Sequence, residues 1–249
     1  MKKRVILTDT RTEEMQEAAG FLAQQGYDVN IIPHTVCLWH ESEVRAWAET
    51  VEGEIAGVIH PLPPAFLSPL LTTTEEDYAR ARDEGPLAAW CVTRVLCDRL
   101  REQRDGSMIY VGSIHAEKPM GHGFLFSADC GAVQMLSREV SQDYGPFGVR
   151  TFFVQRGPSE RDPDLRNDLS NVYYGLEKRY PSRSMPGCGE MKELLAFLLT
   201  RAAAPLSGSD LRCDGGMTLY YGERITEEQA NVLFARQRME QEASIIGEV

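Results

Sequence analysis

The chain has 249 residues, of which 43% are hydrophobic and 25% are charged, so it is long enough to bury one large core. Its formal net charge of −11 argues against binding to nucleic acid or to an anionic membrane surface, because both repel excess carboxylates. With no apolar run near the roughly 20 residues that span a bilayer, and with six scattered cysteines that suit reduced thiols, we expect a globular cytoplasmic protein.

Short apolar runs alternate with helical stretches along the chain. The predicted strands are Val5–Thr8, Val29–Pro33, Ile55–His60, Ser107–Gly112, Val149–Gln155 and Asp210–Cys213. The predicted helices are Glu13–Gln25, Glu41–Glu52, Glu75–Arg104, Phe126–Tyr144 and Gly189–Arg201. This alternation predicts an α/β fold, a Rossmann-like doubly wound parallel sheet with helices on both faces.

Two segments stand apart from the single domain that we expect over residues 1–249. Residues 157–186 are rich in Pro, Asp, Arg and Tyr with weak periodicity, which favours a lid-like excursion, or alternatively disorder. Residues 218–249 form a C-terminal extension with a capping-box pattern at Thr226–Gln229 and an apolar stripe that includes Leu233. That extension is either a helix packed on its own domain or an arm that reaches a neighbouring subunit.

The first strand–helix turn lacks the glycines that let a pyrophosphate approach a helix N-terminus. It reads Asp9-Thr10-Arg11-Thr12-Glu13-Glu14-Met15, so it has side chains where glycine would leave space, and it adds three carboxylates. Those carboxylates either cap the helix or substitute for a missing phosphate. We therefore predict that the degenerate motif at Asp9, Glu13 and Met15 does not bind NAD.

Motifs in the second half resemble those of the short-chain dehydrogenase/reductase family. Gly106–Ser113 resembles the central strand that ends in the family's catalytic serine, and Phe126–Ala132 resembles its Tyr-Ser-Ala-Ser-Lys-Ala helix start. Tyr144–Arg150 and Asp214-Gly215-Gly216 are also similar to family motifs. The resemblance covers nearly all of the chain and implies the family's fold.

The resemblance also assigns a position to each member of the family's catalytic tetrad. There a tyrosine exchanges a proton with the substrate hydroxyl, a lysine stabilises its phenoxide and holds the nicotinamide ribose, a serine orients the substrate, and an asparagine completes a proton relay. In this chain those positions hold Phe126, Cys130, Ser113 and Gly85, and the family's Asn-Asn-Ala-Gly turn is replaced from His60 onward. Because a phenyl ring cannot titrate, the resemblance implies a degenerate tetrad with no catalytic residue.

Each remaining polar residue has a structural interpretation beside a chemical one. Ser113 is a turn former or a nucleophile, and Cys130 is a small buried apolar residue or a reactive thiol. His115 and His122 are candidates for a base or for metal ligands, but without matching carboxylates and cysteines they indicate no metal site. The fragment Cys37–His40 is likewise isolated, so we expect no metal.

The favoured hypothesis is a non-catalytic subunit that pairs with an active NAD-dependent short-chain dehydrogenase and stabilises or completes its site. The chain resembles the silent subunit of heteromeric bacterial dehydrogenases, such as the pair that oxidises 2-(hydroxybenzyl)succinyl-CoA in anaerobic toluene breakdown. The resemblance implies a hetero-oligomer, a dimer of dimers built on the helices around Pro86–Leu100 and Ala132–Tyr144, with NAD held by the partner and no cofactor in this chain.

Two other hypotheses remain. The first is a cofactor-independent lyase, hydratase or cyclase that uses Ser113 with His115, His122 or Cys130 in the vacated pocket. The second is an intact dehydrogenase with an unusual motif, which the acidic turn disfavours.

Overall fold

The computed structural model describes residues 2–119, 121–158, 180–181, 188–219 and 232. The chain divides into two compact units, Met1–Met217 and Thr218–Val249. In the first unit, the described strands form one parallel sheet in the order β2-β1-β3-β4-β5-β6. The prediction of a Rossmann-like doubly wound parallel sheet is confirmed. The predicted lid-like segment 157–186 and extension 218–249 lie largely outside the described residues.

Apart from the predicted helix Glu75–Arg104, the strands and helices begin and end close to their predicted bounds. The strands are β1 (Arg4–Leu7), β2 (Asp28–Ile31), β3 (Ile55–Pro61), β4 (Gly106–Ser113), β5 (Val149–Arg156) and β6 (Ser209–Cys213). The helices are α1 (Glu13–Gln24), α2 (Glu41–Glu49), α3 (Glu75–Arg82), α4 (Ala88–Gln103), α5 (Phe124–Tyr144) and α6 (Cys188–Leu198). Within the described residues, no helix is long and apolar enough to cross a bilayer.

The sheet has a hydrophobic core on each face, because side chains alternate along each strand. Val5 and Leu7 of β1 pack with Leu22 of α1 and Leu195 of α6 on one face. Ile6, the residue between them, joins the second core with the apolar sides of α2, α4 and α5. This double burial explains why the central strands are nearly continuous apolar runs.

The predicted helix Glu75–Arg104 is broken by a π turn at Asp83–Leu87 that separates α3 from α4. Pro86 has no N–H to donate to the preceding turn, and its ring crowds that turn. The helical turn is wider here than in an α-helix, and the N–H of Ala88 donates to the carbonyl oxygen of Asp83, five residues earlier. The turn contains Gly85, one of the tetrad positions, and π turns often mark functional sites.

Gly57 of β3 is required by close packing between strands. A Cβ atom there would lie 2.6 Å from the carbonyl oxygen of Ser107 on β4 and 2.5 Å from Leu199 Cδ2.

We expect Gly57→Ala to destabilise the protein by about 1–3 kcal/mol through overpacking. Gly20→Ala, in α1, is the matched control, because nothing lies within 4 Å of a Cβ at Gly20. Alanine there should increase the free energy of unfolding by about 0.5–1 kcal/mol, since glycine is unfavourable inside a helix. Urea unfolding of both variants checks this, and equal effects would contradict it.

Candidate functional site

The carboxyl ends of the parallel strands meet at one edge of the sheet, where open α/β sheets bind ligands. The β1–α1 turn, His60 at the end of β3, Ser113 at the end of β4 and Arg156 at the end of β5 all lie at this edge. The topology therefore gathers the sequence-predicted site residues of both halves of the chain.

Two of the three carboxylates in the β1–α1 turn are paired with arginines. Arg11 Nε donates to Asp9 Oδ2 at 2.7 Å, and the Arg11 backbone N–H donates to Asp9 Oδ1 at 2.7 Å. The bond to Asp9 raises the pKa of Arg11. Glu14, whose side chain is 10% exposed, forms an ion pair with Arg156 Nε at 2.9 Å. The turn is therefore less negative than its three carboxylates alone would make it.

The rest of the turn forms an ordinary helix start. Thr12 caps α1, and its Oγ1 accepts from the N–H of Met15 at 3.3 Å. Met15 is buried in the core that α1 shares with α6. The positive end of the α1 dipole lies at the edge, as a dinucleotide site requires.

His60 is buried beside the β1–α1 turn. Its Nδ1 lies 2.7 Å from Thr8 Oγ1, while its Nε2 has no hydrogen-bond partner among the described residues. Burial lowers the pKa of His60 from 6.5 to about 4, so the ring is neutral at pH 7. An unpaired buried polar atom costs free energy, and this one lies at the ligand-binding edge of the sheet.

The structure brings Ser113, Phe126 and Cys130 together between β4 and α5. Ser113 Oγ accepts from the N–H of His115 at 3.2 Å and so caps the short turn after β4. The Phe126 ring packs edge-on between the rings of His115 and Phe66, with centroids 6.1 and 6.4 Å away. Cys130 is fully buried, and burial raises the pKa of its thiol to about 12. The thiol therefore stays protonated at pH 7.

Gly85 and Asp129 fit each other across the π turn. A Cβ at Gly85 would lie 3.1 Å from Asp129 Oδ2, so the carboxylate of Asp129 takes up space that a side chain at position 85 would need. Asp129 is half-buried, and burial raises its pKa from 3.8 to about 6. The sequence pattern favours a solvent-side or helix-terminus position for Asp129 and does not predict its contact with Gly85, which lies far away along the chain.

The two histidines of the β4–α5 connection have different surroundings. Nδ1 of His115 lies 2.8 Å from the carbonyl oxygen of Lys118, which makes Nδ1 the donor and fixes the ring. His122 is exposed with φ 49°, and its carbonyl oxygen accepts from the N–H of Ser68 at 2.6 Å. Within the described residues, neither histidine joins a group of three metal-ligand side chains.

Sequence reasoning also missed a polar network around Glu117. Glu117 Oε1 accepts from Gln155 Nε2 at 2.8 Å and from Gln134 Nε2 at 3.1 Å, and its Oε2 lies 3.3 Å from an Arg212 nitrogen. The two amide donors lower the pKa of Glu117. The network joins α5, β5 and β6, and only long-range contacts create it.

Comparison with known proteins identifies relatives over most of the chain. A family model described as enoyl-(acyl carrier protein) reductase matches residues 2–218. Oxidoreductase UcpA of Salmonella typhimurium is 23% identical over 227 residues, covering 86% of this chain and 85% of that protein. A tropinone reductase homolog of Arabidopsis thaliana is 22% identical over 211 residues, covering 83% of this chain and 80% of that protein.

Solved structures share the fold at low identity. ElxO with NADP bound has a TM-score of 0.80 and 14% identity, covering 88% of this chain and 100% of that one. A tyrosine-to-phenylalanine variant of ElxO with NADPH bound has a TM-score of 0.80 and 15% identity, with the same coverage. Ligand-free aldohexose dehydrogenase of Thermoplasma acidophilum has a TM-score of 0.82 and 17% identity, covering 91% of this chain and 98% of that one.

The prediction that this chain carries no cofactor, with NAD confined to a partner, is wrong. The family match and the NADP-bound structure of the same fold contradict it. The carboxylates of the turn are not unscreened charges, because Asp9 is paired with its near neighbour Arg11, and Glu14 is paired with Arg156 from a distant part of the chain.

Protonation of His60 should make stability depend on pH. Its folded pKa of about 4 lies below its ordinary value of 6.5, so the unfolded chain takes up a proton first as pH falls. The stability that the neutral ring contributes is complete above pH 6.5 and is lost as pH falls towards 4. We expect His60→Asn to flatten the unfolding free energy between these limits, as measured by urea titration at several pH values. His34→Asn is the control, because His34 is exposed on the β2–α2 connection. If the unfolding free energy of His60→Asn changes with pH as steeply as that of the unaltered chain, His60 does not cause the pH dependence.

Proposed function

The chain belongs to the short-chain dehydrogenase/reductase family, and we propose that it is a nucleotide-binding subunit that lacks the family's proton-transfer group and pairs with a catalytically complete member. The observation that carries this proposal is Phe126, an apolar ring packed at the position where the family has its tyrosine. The proposal has three parts: nucleotide binding, loss of the chemical step, and pairing.

The residues at the carboxyl edge fit a nicotinamide dinucleotide. The N-terminus of α1 offers backbone N–H groups and a positive dipole end to a pyrophosphate. Arg11, whose side chain is 61% exposed, adds a cation beside this turn, and the unpaired Nε2 of His60 offers a buried polar atom. When bound, such a nucleotide gives or accepts a hydride. This chain's residues would bind it and orient it.

Neither Phe126 nor Cys130 can move a proton near pH 7. Phe126 has no hydroxyl, and the thiol of Cys130, with a pKa of about 12, is neutral where the family has a lysine. General acid–base catalysis needs a group that titrates near the working pH and lies within hydrogen-bond reach of the substrate. Ser113 alone can orient an oxygen but cannot replace that group.

Pairing is supported by apolar residues on the outer sides of α4 and α5. Trp90 on α4 is 43% exposed and Met135 on α5 is 50% exposed. Leu96, in contrast, is fully buried in the core of its own domain, so its apolar spacing on α4 does not indicate an interface. Related surfaces can pair quasi-symmetrically after one copy has lost catalysis.

For the complex we propose a hydroxyacyl thioester substrate, such as 2-(hydroxybenzyl)succinyl-CoA. This part of the proposal is supported by the sequence resemblance alone.

Nucleotide binding is tested by calorimetric titration of the purified chain with NAD(H) and NADP(H). We expect one of these to bind, and Arg11→Ala to weaken binding by about tenfold, equivalent to about 1.4 kcal/mol, because it removes a cation and leaves Asp9 uncompensated. Arg80→Ala is the matched control, since Arg80 pairs with Asp77 on α3 and is 65% exposed. Flat titrations with all four nucleotides would contradict the proposal.

Loss of the chemical step is tested by turnover. The chain alone should not reduce NAD(P)⁺ with hydroxyl substrates, and Ser113→Ala or Cys130→Ala should leave the turnover of the assembled complex nearly unchanged. Turnover by the isolated chain that falls by orders of magnitude in Ser113→Ala would show that this chain catalyses the reaction.

Pairing is tested by co-purification with an active family member and mass determination in solution. Met135→Asp should release the partner, because a charge at the centre of an apolar interface is strongly unfavourable. Ile31→Asp is the matched control, since Ile31 is 43% exposed on the edge strand β2. A chain that forms only homo-oligomers in the presence of the partner would overturn this part.

A further inference from the structure

Three ligand-type side chains converge where β2 connects to α2. Cys37, His40 and Glu43 each offer one donor atom, and these atoms all lie within 4.8 Å of one another. His40 Nδ1 lies 3.0 Å from Glu43 Oε1. In the sequence, Cys37–His40 is an isolated fragment with two candidate donors, and Glu43 belongs to the following helix. The fold supplies the third donor.

Local hydrogen bonds hold the three residues in position. The N–H of His40 donates to the carbonyl oxygen of Cys37 at 3.0 Å, which closes a tight turn. His40 is also the N-cap of α2, so Glu43 lies in the first helical turn, and its Oε2 accepts from the N–H of Cys37 at 2.8 Å. Val36 and Leu38, on either side of Cys37, pack against the hydrophobic core. The donors are therefore preorganised by both backbone and core.

We infer that Cys37, His40 and Glu43 form a binding site for a Zn²⁺ ion. Zn²⁺ takes a thiolate, an imidazole and a carboxylate at about 2.0–2.3 Å in tetrahedral geometry, which places donor atoms about 3.3–3.7 Å apart. The three donors need to move by only about 1 Å to reach that spacing. The fourth position is left for water or a further ligand.

The chemistry of the donors favours a borderline-soft ion over Mg²⁺ or Ca²⁺. Those hard ions prefer sets made of oxygen, whereas sulfur and imidazole nitrogen favour Zn²⁺. Burial and nearby Glu43 raise the pKa of the Cys37 thiol. Zn²⁺ binds the deprotonated thiolate, so this thiol would give up its proton to the solvent on binding.

The location gives the ion a structural role. The N–H of Ile32, directly after β2, donates to the carbonyl oxygen of Leu7 at the end of β1. The β2–α2 connection thus starts beside the β1–α1 turn, at the edge that carries the nucleotide in the proposed function. Zinc would link this connection to the first turn of α2. The inference stands independently of nucleotide binding, because it concerns different side chains and has its own readout.

The test uses the full chain, freed of metal with a chelator and then titrated with Zn²⁺ or with Co²⁺ as a spectroscopic probe. We expect one equivalent to bind, a cobalt–thiolate absorption band to appear, and Zn²⁺ to raise the unfolding midpoint. Cys37→Ser, His40→Ala and Glu43→Gln should each lower zinc affinity by at least about tenfold, the smallest loss that follows removal of even an outer partner of a ligand. Cys37→Ser should also abolish the band.

Cys213→Ser, Glu49→Gln and His34→Ala are the matched controls. Cys213 is half-buried like Cys37, Glu49 lies at the other end of α2 and His34 lies earlier in the same connection. Unchanged zinc affinity in Cys37→Ser, or equal losses in the controls, would overturn the site. If Cys37→Ser does not fold, alkylation of the unaltered chain decides: Zn²⁺ must protect Cys37 and not Cys213, and any other pattern overturns the inference.

Discussion

The ion pair between Glu14 and Arg156 connects the two halves of the sheet at its functional edge. Glu14 comes from the first turn of α1 and Arg156 from the end of β5, and both side chains are largely buried at 10% and 22% exposure. Separating two charges at such depth is costly, because each loses an opposite charge that offsets its removal from water. Together with the Asp9–Arg11 pair, it offsets two carboxylates of an acidic helix start. The electrostatics of the candidate nucleotide site depend on these two contacts.

The reacting position is organised in a different way, by apolar packing. Phe126 lies between two aromatic rings, and Cys130 is buried one helical turn further along α5. Asp129, on the same helix, takes up space at Gly85 that a larger side chain would need. Gly85 and Asp129 are therefore sterically matched to each other. A well-packed site with no titrating group near pH 7 at either Phe126 or Cys130 agrees with a subunit that keeps the fold without the chemistry.

The reacting position and the proposed zinc site both lie close to irregular backbone. The π turn Asp83–Leu87 forms because Pro86 cannot continue an α-helix, and it brings Gly85 against α5. The tight turn Cys37–His40 follows Val36 and contains Leu38, and both of these residues pack against the core. In each case a local constraint in the chain places polar groups where regular structure would not, and that is where functional residues tend to occur.

The sequence by itself determined the sheet, its helices and most of their bounds, because apolar periodicity is a local property and buried parallel strands read as apolar runs. It also determined that Phe126 carries no titrating group, since that depends only on residue type, whereas the neutral state of the Cys130 thiol follows from its burial in the folded chain. Only the tertiary structure decided which charges cancel. Arg156 follows Glu14 by more than a hundred residues, and no spacing rule joins them. Likewise, Glu43 became a partner of Cys37 only when the turn before α2 folded, because contacts between elements are set by packing and not by sequence distance.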